Sequence, residues 1–141
     1  MIIFGVDFGD TRTGFAVCDR SELLASPAGV LTERSFVRCA EQTAAAAQQA
    51  HAELIVVGYP KNMDGSCGPR AEKCAAFAER LREISGLPVE LWDERCTTVT
   101  AHRYLNDTDT RGKKRKAVVD AVAATIILES YLAFRKNRNS G

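Results

Sequence analysis

The chain opens on an apolar run, Ile2-Ile3-Phe4-Gly5-Val6, whose β-branched and aromatic bias predicts a buried strand over residues 2–8. A second strand-like run, Gly14–Asp19, follows the polar stretch Gly9-Asp10-Thr11-Arg12-Thr13, and the pair reads as a hairpin. A third extended segment lies around Ala28–Leu31, after Ser26-Pro27. The period then changes. Ser35 is placed to cap an alanine-rich helix reaching about His51, and Leu54-Ile55-Val56-Val57-Gly58 is a short, fully apolar strand. Pro, Asn, Asp and Gly make "YPKNMDGSCGPR" a loop, and Pro69 stands at the favoured first position of a helix. That helix carries Ala71, Cys74, Phe77, Ala78, Leu81 and Ile84 on one stripe and stops at Gly86-Leu87-Pro88. Val89–Trp92 forms another short strand, and Thr97 or Thr98 caps a shorter helix reaching Leu105. A polar, then basic, loop from Asn106 leads into a last helix from about Lys116 to Arg135.

The order β-β-β-α-β-α-β-α-α describes an antiparallel meander followed by βαβ crossovers: one α/β domain with a mixed sheet flanked by helices. Sites on such sheets gather beyond the carboxyl ends of the parallel strands, where Asp7, the loop after Tyr59 and Asp93-Glu94 all fall.

At 141 residues the chain fits a single domain, residues 1–141, with a basic tail expected to fray over 136–141. Five cysteines without a C-x-x-C pair or zinc-type spacing read as small apolar residues of a reduced, cytoplasmic protein. No apolar stretch reaches the ~18 residues of a membrane span, so no membrane partner is expected. The net charge of +1 hides an asymmetry: residues 1–110 hold 11 basic and 16 acidic residues, and residues 111–141 hold 8 and 2.

Two acids stand where apolar residues belong. Asp7 ends a buried strand, and Asp120 interrupts "AVVDAVAATIIL", a segment apolar enough to be a buried helix. Asp120 shares a face with Ala123, Ala124, Ile127 and Tyr131, and the small alanines favour close approach to the sheet near Asp7. Carboxylates ~4 Å apart repel by about 4 kcal/mol at an effective dielectric near 20, so such a pair protonates or takes up a cation. Oxygen-only ligands favour Mg²⁺ or Mn²⁺, and shared carboxylates are how two-metal phosphodiester enzymes hold their ions.

Four blocks, "GVDFGDTRTGFAVCD", "VVGYPKNMDGSCGPRA", "DERCTT" and "KRKAVVDAVAA", resemble in order and spacing the YqgF/RuvX family, small bacterial proteins of the RNase H-like superfamily related to Holliday-junction resolvases. The resemblance implies an RNase H-like five-stranded mixed sheet and a metal-dependent nuclease in ribosome biogenesis, trimming the 5′ end of precursor 16S rRNA. It places the catalytic and metal-binding acids on Asp7, Glu94 and Asp120. Cys96 stands where leucine is usual after "DER", and Tyr59 replaces a common aliphatic residue, both read as packing changes. Related resolvases carry a glutamate at the end of the middle strand, where this chain reads Gly58-Tyr59; Glu94 must supply that role from the next strand.

Arg111–Lys116 holds five basic residues in six and leads into the helix of Asp120. Cations at a helix amino end oppose the macrodipole, and a polyanion is the fitting compensation. Lys113, Lys114, Arg115 and Lys116, with Arg12 and Arg95, are therefore the candidate nucleic-acid contacts. RNA is the expected partner, acting on a monomer or homodimer. The competing readings are a resolvase of branched DNA and a non-catalytic nucleic-acid-binding module in transcription or ribosome assembly. "VDFGDTRTG" also compares with the phosphate loop of actin-like sugar kinases, but those need two such domains.

Overall fold

A computed structural model describes residues 1–60, 68–93 and 113–140, with side chains described over 122–137 in the last segment. Its five strands are β1 (Ile3–Asp7), β2 (Arg12–Cys18), β3 (Ala25–Thr32), β4 (Leu54–Tyr59) and β5 (Val89–Asp93). They form one mixed sheet in the order β3-β2-β1-β4-β5. The meander β1-β2-β3 is antiparallel, while β1, β4 and β5 run parallel, so their carboxyl ends share an edge as the sequence predicts.

Helices α1 (Phe36–Gln49) and α2 (Pro69–Ser85) cover one face. Ser35 caps α1 by accepting from the Arg38 backbone N–H, and Pro69 opens α2, where neither helix loses an internal hydrogen bond. The face they cover is packed with Phe4, Val6, Phe8, Phe15, Ile55, Val57 and Phe77. Phe8 stacks on Phe77 with ring centroids 4.2 Å apart.

The long helix α3 (Lys113–Ser140) covers the other face, where Ile3, Ala16, Leu54 and Val56 meet Ala124, Ile127, Leu128 and Tyr131. Two boundaries differ from the sequence reading. Lys113–Lys116 belong to the first turn of α3 rather than to a loop, because Lys and Arg are good helix formers. The backbone is also helical through Ser140, past the expected end at Arg135, and Arg135 and Lys136 suit a helix carboxyl end. No helix among the described residues is long and apolar enough to cross a membrane.

Candidate active site

Alternation along β1 sends Phe4, Val6 and Phe8 to the α1–α2 face and leaves Ile3, Gly5 and Asp7 on the α3 face. Gly5 is what lets α3 sit so low. A Cβ there would lie 3.0 Å from Leu128 Cβ and 3.2 Å from the Ala124 carbonyl oxygen, tighter than ordinary contacts, so glycine eases the close approach of the helix.

The direction of α3 follows from its contacts. Tyr131 donates to the Glu90 carboxylate at the start of β5, and Arg135 Nε lies 2.7 Å from Glu22 Oε1, while Glu22 Oε2 pairs with the Met1 amino group. The carboxyl end of α3 therefore lies at the amino end of β1, and its earlier turns lie toward Asp7. From Ala124 back to residue 120 is one helical turn, about 6 Å, and from Gly5 to Asp7 is about 7 Å of strand. The backbone of residue 120 thus lies toward the Asp7 end of β1, on the helix that covers Asp7's face.

Across the sheet, Val6 pairs with Val57 and Gly58 with Trp92, so Asp7, Gly58 and Trp92 form a row at the carboxyl edge on the α3 face. Gly58 contributes no side chain to that row. Asp93 pairs with Tyr59 one position on and takes the opposite face with Val89 and Leu91. Asp7 itself is partly buried and has interactions of its own.

The turn after Asp7 is fixed from beneath. A side chain at Gly9 would meet the Arg12 carbonyl oxygen at 2.3 Å. The buried Thr13 hydroxyl lies 3.4 Å from the Gly9 amide, from which it accepts, and 3.3 Å from Cys39 Sγ. Burial pushes the Cys39 and Cys18 thiols up from their ordinary values, which keeps them protonated and inert, as expected of packing cysteines.

Of the acids drawn from the resemblance, Asp7 is described in full and Asp120 by its backbone; Glu94 lies outside the described residues, as do Arg95, the short helix reaching Leu105, Cys67 and Cys96. The side chains of Lys113, Lys114, Arg115 and Lys116 also lie outside them. Arg12 opens β2, level with Thr32, rather than sitting in the turn. Among the described residues no three His, Cys, Asp or Glu side chains gather as a metal cluster. Trp92 packs on Tyr131 and Phe134 at centroid distances of 5.5 and 5.2 Å, and Tyr59 lies against the core, so both have packing roles.

Two cations beside this edge escape a reading of the sequence. Arg70 Nη2 donates to the Phe8 carbonyl at 3.4 Å, and Lys73 Nζ lies 2.5 Å from Asp10 Oδ1. Together with Gly9 and Pro69 they line a cavity of about 290 Å³ between the β1–β2 turn and the start of α2. The one available signal was their place in the first turns of a helix whose amino end faces the carboxyl edge of the sheet.

A mixed β3-β2-β1-β4-β5 sheet between helices, with a carboxylate ending its central strand, defines the RNase H-like class. Solved structures agree at the level of fold: Thermus thermophilus RuvC in complex with a Holliday junction substrate aligns with TM-score 0.62 at 13% identity, covering 96% of each chain. The fowlpox virus Holliday junction resolvase aligns with TM-score 0.52 at 14% identity over 95% of this chain and 99% of that one. The family model described as "RuvX: Holliday junction resolvase" matches residues 1–134, and this chain belongs to that family. Relatives include the "Putative pre-16S rRNA nuclease" of Caldanaerobacter subterraneus subsp. tengcongensis, 44% identical over 97% of this chain and 99% of that protein. The protein of that name from Halothermothrix orenii is 43% identical over 96% of each.

Proposed function

We propose that this chain is a divalent-metal-dependent nuclease that hydrolyses phosphodiester bonds in precursor 16S rRNA at its 5′ end. The observation that carries this reading is the seat of α3 on Gly5, from which its earlier turns, with residue 120, run toward the Asp7 end of β1. Asp7, Glu94 and Asp120 are the proposed metal ligands. The fit is chemical: an oxygen-only donor set, with Gly58 leaving the row beside Asp7 open, suits Mg²⁺ or Mn²⁺. When bound, a pair of such ions supplies an activated water and charge stabilisation at the leaving oxygen. The chain's own contribution is to hold the carboxylates on rigid elements, strand β1 and helix α3, so that they stay poised without reorganisation. Lys113, Lys114, Arg115, Lys116, Arg12 and Arg95 bind the phosphate backbone, which gives affinity with little sequence preference.

The RNA substrate is favoured by full-length relatives named for pre-16S rRNA. The family description favours four-way DNA junctions as the second reading, for which a two-fold dimer with paired sites is the fitting assembly. A cleavage assay on precursor 16S rRNA and on synthetic junctions, with Mg²⁺, Mn²⁺ or EDTA, separates them. Parent activity on the rRNA 5′ end that vanishes in EDTA and in Asp7→Asn, Glu94→Gln and Asp120→Asn is the expected result. Unchanged cutting by the Asp7 and Asp120 variants sinks the proposed site.

A further inference from the structure

Lys73 and Arg70 project from the first turns of α2 into the cavity that borders the turn after Asp7. Arg70 is anchored on the Phe8 carbonyl, so its guanidinium is fixed at the cavity wall. Lys73 pairs with Asp10, and that pair is open to solvent, with side-chain exposures of 52% for Lys73 and 70% for Asp10. Gly68, the residue before α2, offers no side chain to the helix's first amides, and Pro69 carries no amide hydrogen. Among the described residues the lining therefore presents two cations and one carboxylate, Asp10, which occupies the place an external anion would take.

We propose that this cavity is a subsite for a backbone phosphate of the substrate strand, with Lys73 and Arg70 as its ligands and Asp10 as a built-in competitor that the phosphate displaces from Lys73. The proposal rests on the nucleic-acid reading above. A phosphodiester fits better than a carboxylate ligand because the fork of Arg70 and the point charge of Lys73 address several oxygens of one tetrahedral group. Its place is also right. Asp7 and Asp10 are three residues apart, at most about 11 Å of chain, so a strand with its scissile phosphate at Asp7 brings a neighbouring phosphate to this cavity. The Lys73 hydrogen bond, followed by its charge, holds the Asp10 carboxyl below its ordinary value, so the competitor is ionised at neutral pH. An exposed ion pair of this kind exchanges readily for a better partner. Asp10 then discriminates against weak anions, which fail to displace it, in favour of a polyanion anchored elsewhere.

The test is binding of a fluorescein-labelled single-stranded RNA to the full chain in EDTA, followed by anisotropy over a range of salt concentrations, with cleavage in Mg²⁺ measured alongside. Lys73→Gln is expected to weaken binding about 3- to 10-fold and to lower the salt slope by about 0.7, the loss of one phosphate contact on a single strand. Asp10→Asn is expected to tighten binding about 3-fold, and the double variant to bind like Lys73→Gln. Lys73→Gln with parental affinity and slope overturns the proposal. So does an Asp10→Asn gain that persists undiminished beside Lys73→Gln, since the carboxylate then acts by general repulsion and not through Lys73. Failure here is distinct from failure of the nuclease reading: the binding arm needs no metal ion, and a parent that cuts while Lys73→Gln binds normally sinks the cavity alone.

Discussion

Leu128 of α3 sits directly over Gly5 of β1, so close that a Cβ on the glycine would lie 3.0 Å from the Leu128 Cβ. That contact sets the height of the helix above the central strand. Two residues further along β1 stands Asp7, and two turns earlier in α3 stands residue 120. The geometry that makes a carboxylate site conceivable is thus decided by a residue with no functional group.

Gly5→Ala tests this. The added methyl meets a side chain at 3.0 Å and a backbone carbonyl at 3.2 Å, and the carbonyl cannot rotate away. The helix then has to give by a few tenths of an ångström, and overpacking of this kind costs about 1–3 kcal/mol. Urea unfolding should show that loss, and cleavage should fall by more than stability alone explains, because the displaced helix carries Asp120. A variant as stable and as active as the parent would mean that the seat of α3 tolerates a shift.

Metal binding supplies a second readout that does not depend on substrate. A ligand that binds only the folded state stabilises it by about 2.7 kcal/mol when present at a hundred times its Kd. Mg²⁺ or Mn²⁺ should therefore raise the thermal unfolding midpoint of the parent chain, and the rise should be absent in Asp7→Asn. An equal rise in both would place the ion elsewhere.

Much of this architecture was legible in the sequence, for physical reasons that can be named. The polar interval from Gly9 to Thr13 between apolar runs marked the hairpin, Ser35 marked the start of α1, and Pro69 that of α2. The apolar run from Leu54 to Val57 is a strand buried on both faces, as its lack of alternation implied. What escaped were features that exist only across the fold. Gly5 looks like a weakness in a strand until the helix above it is seen. Arg70 and Lys73 lie more than sixty residues from the turn they contact. The start of α3 was misplaced because a run of cations at a helix amino end breaks a local rule, and helix propensity won over the macrodipole.

That run leads to a third prediction. No acidic residue stands in the first turn of α3 to neutralise Lys113, Lys114, Arg115 and Lys116. Replacing all four with glutamine should relieve the macrodipole conflict, leaving stability unchanged or slightly raised, while RNA binding weakens. Each lost phosphate contact should lower the salt slope by about 0.7 for a single strand. Salt-dependent binding identical to the parent's would show that the four residues are a solvated charge run.

The far end of α3 offers a test by pH. Glu22 holds both Arg135, at 2.7 Å, and the Met1 amino group, at 3.1 Å, tying the helix to the start of β1. The Arg135 hydrogen bond, acting against burial and aided by the amino group, lowers the Glu22 carboxyl below its ordinary value of 4.5. A group whose folded value is depressed stabilises above its unfolded value, and that stability is lost as pH falls through the folded one. Glu22→Gln should therefore cost about 1 kcal/mol at pH 7. The deficit should begin to shrink as the pH falls past about 4.5 and close once the pH has fallen through the lowered folded-state value, because protonation removes the same charge from the parent. Asp19 is also held below its ordinary value, by the Leu23 backbone amide, but it is present in both chains and cancels in the difference. Glu22 has a left-handed backbone, φ 59°, which glutamine leaves as it is, so the comparison isolates the charge. Urea unfolding from pH 7 to about pH 3 measures it, and a deficit constant across that range would assign the contribution of Glu22 to packing rather than to its ion pairs.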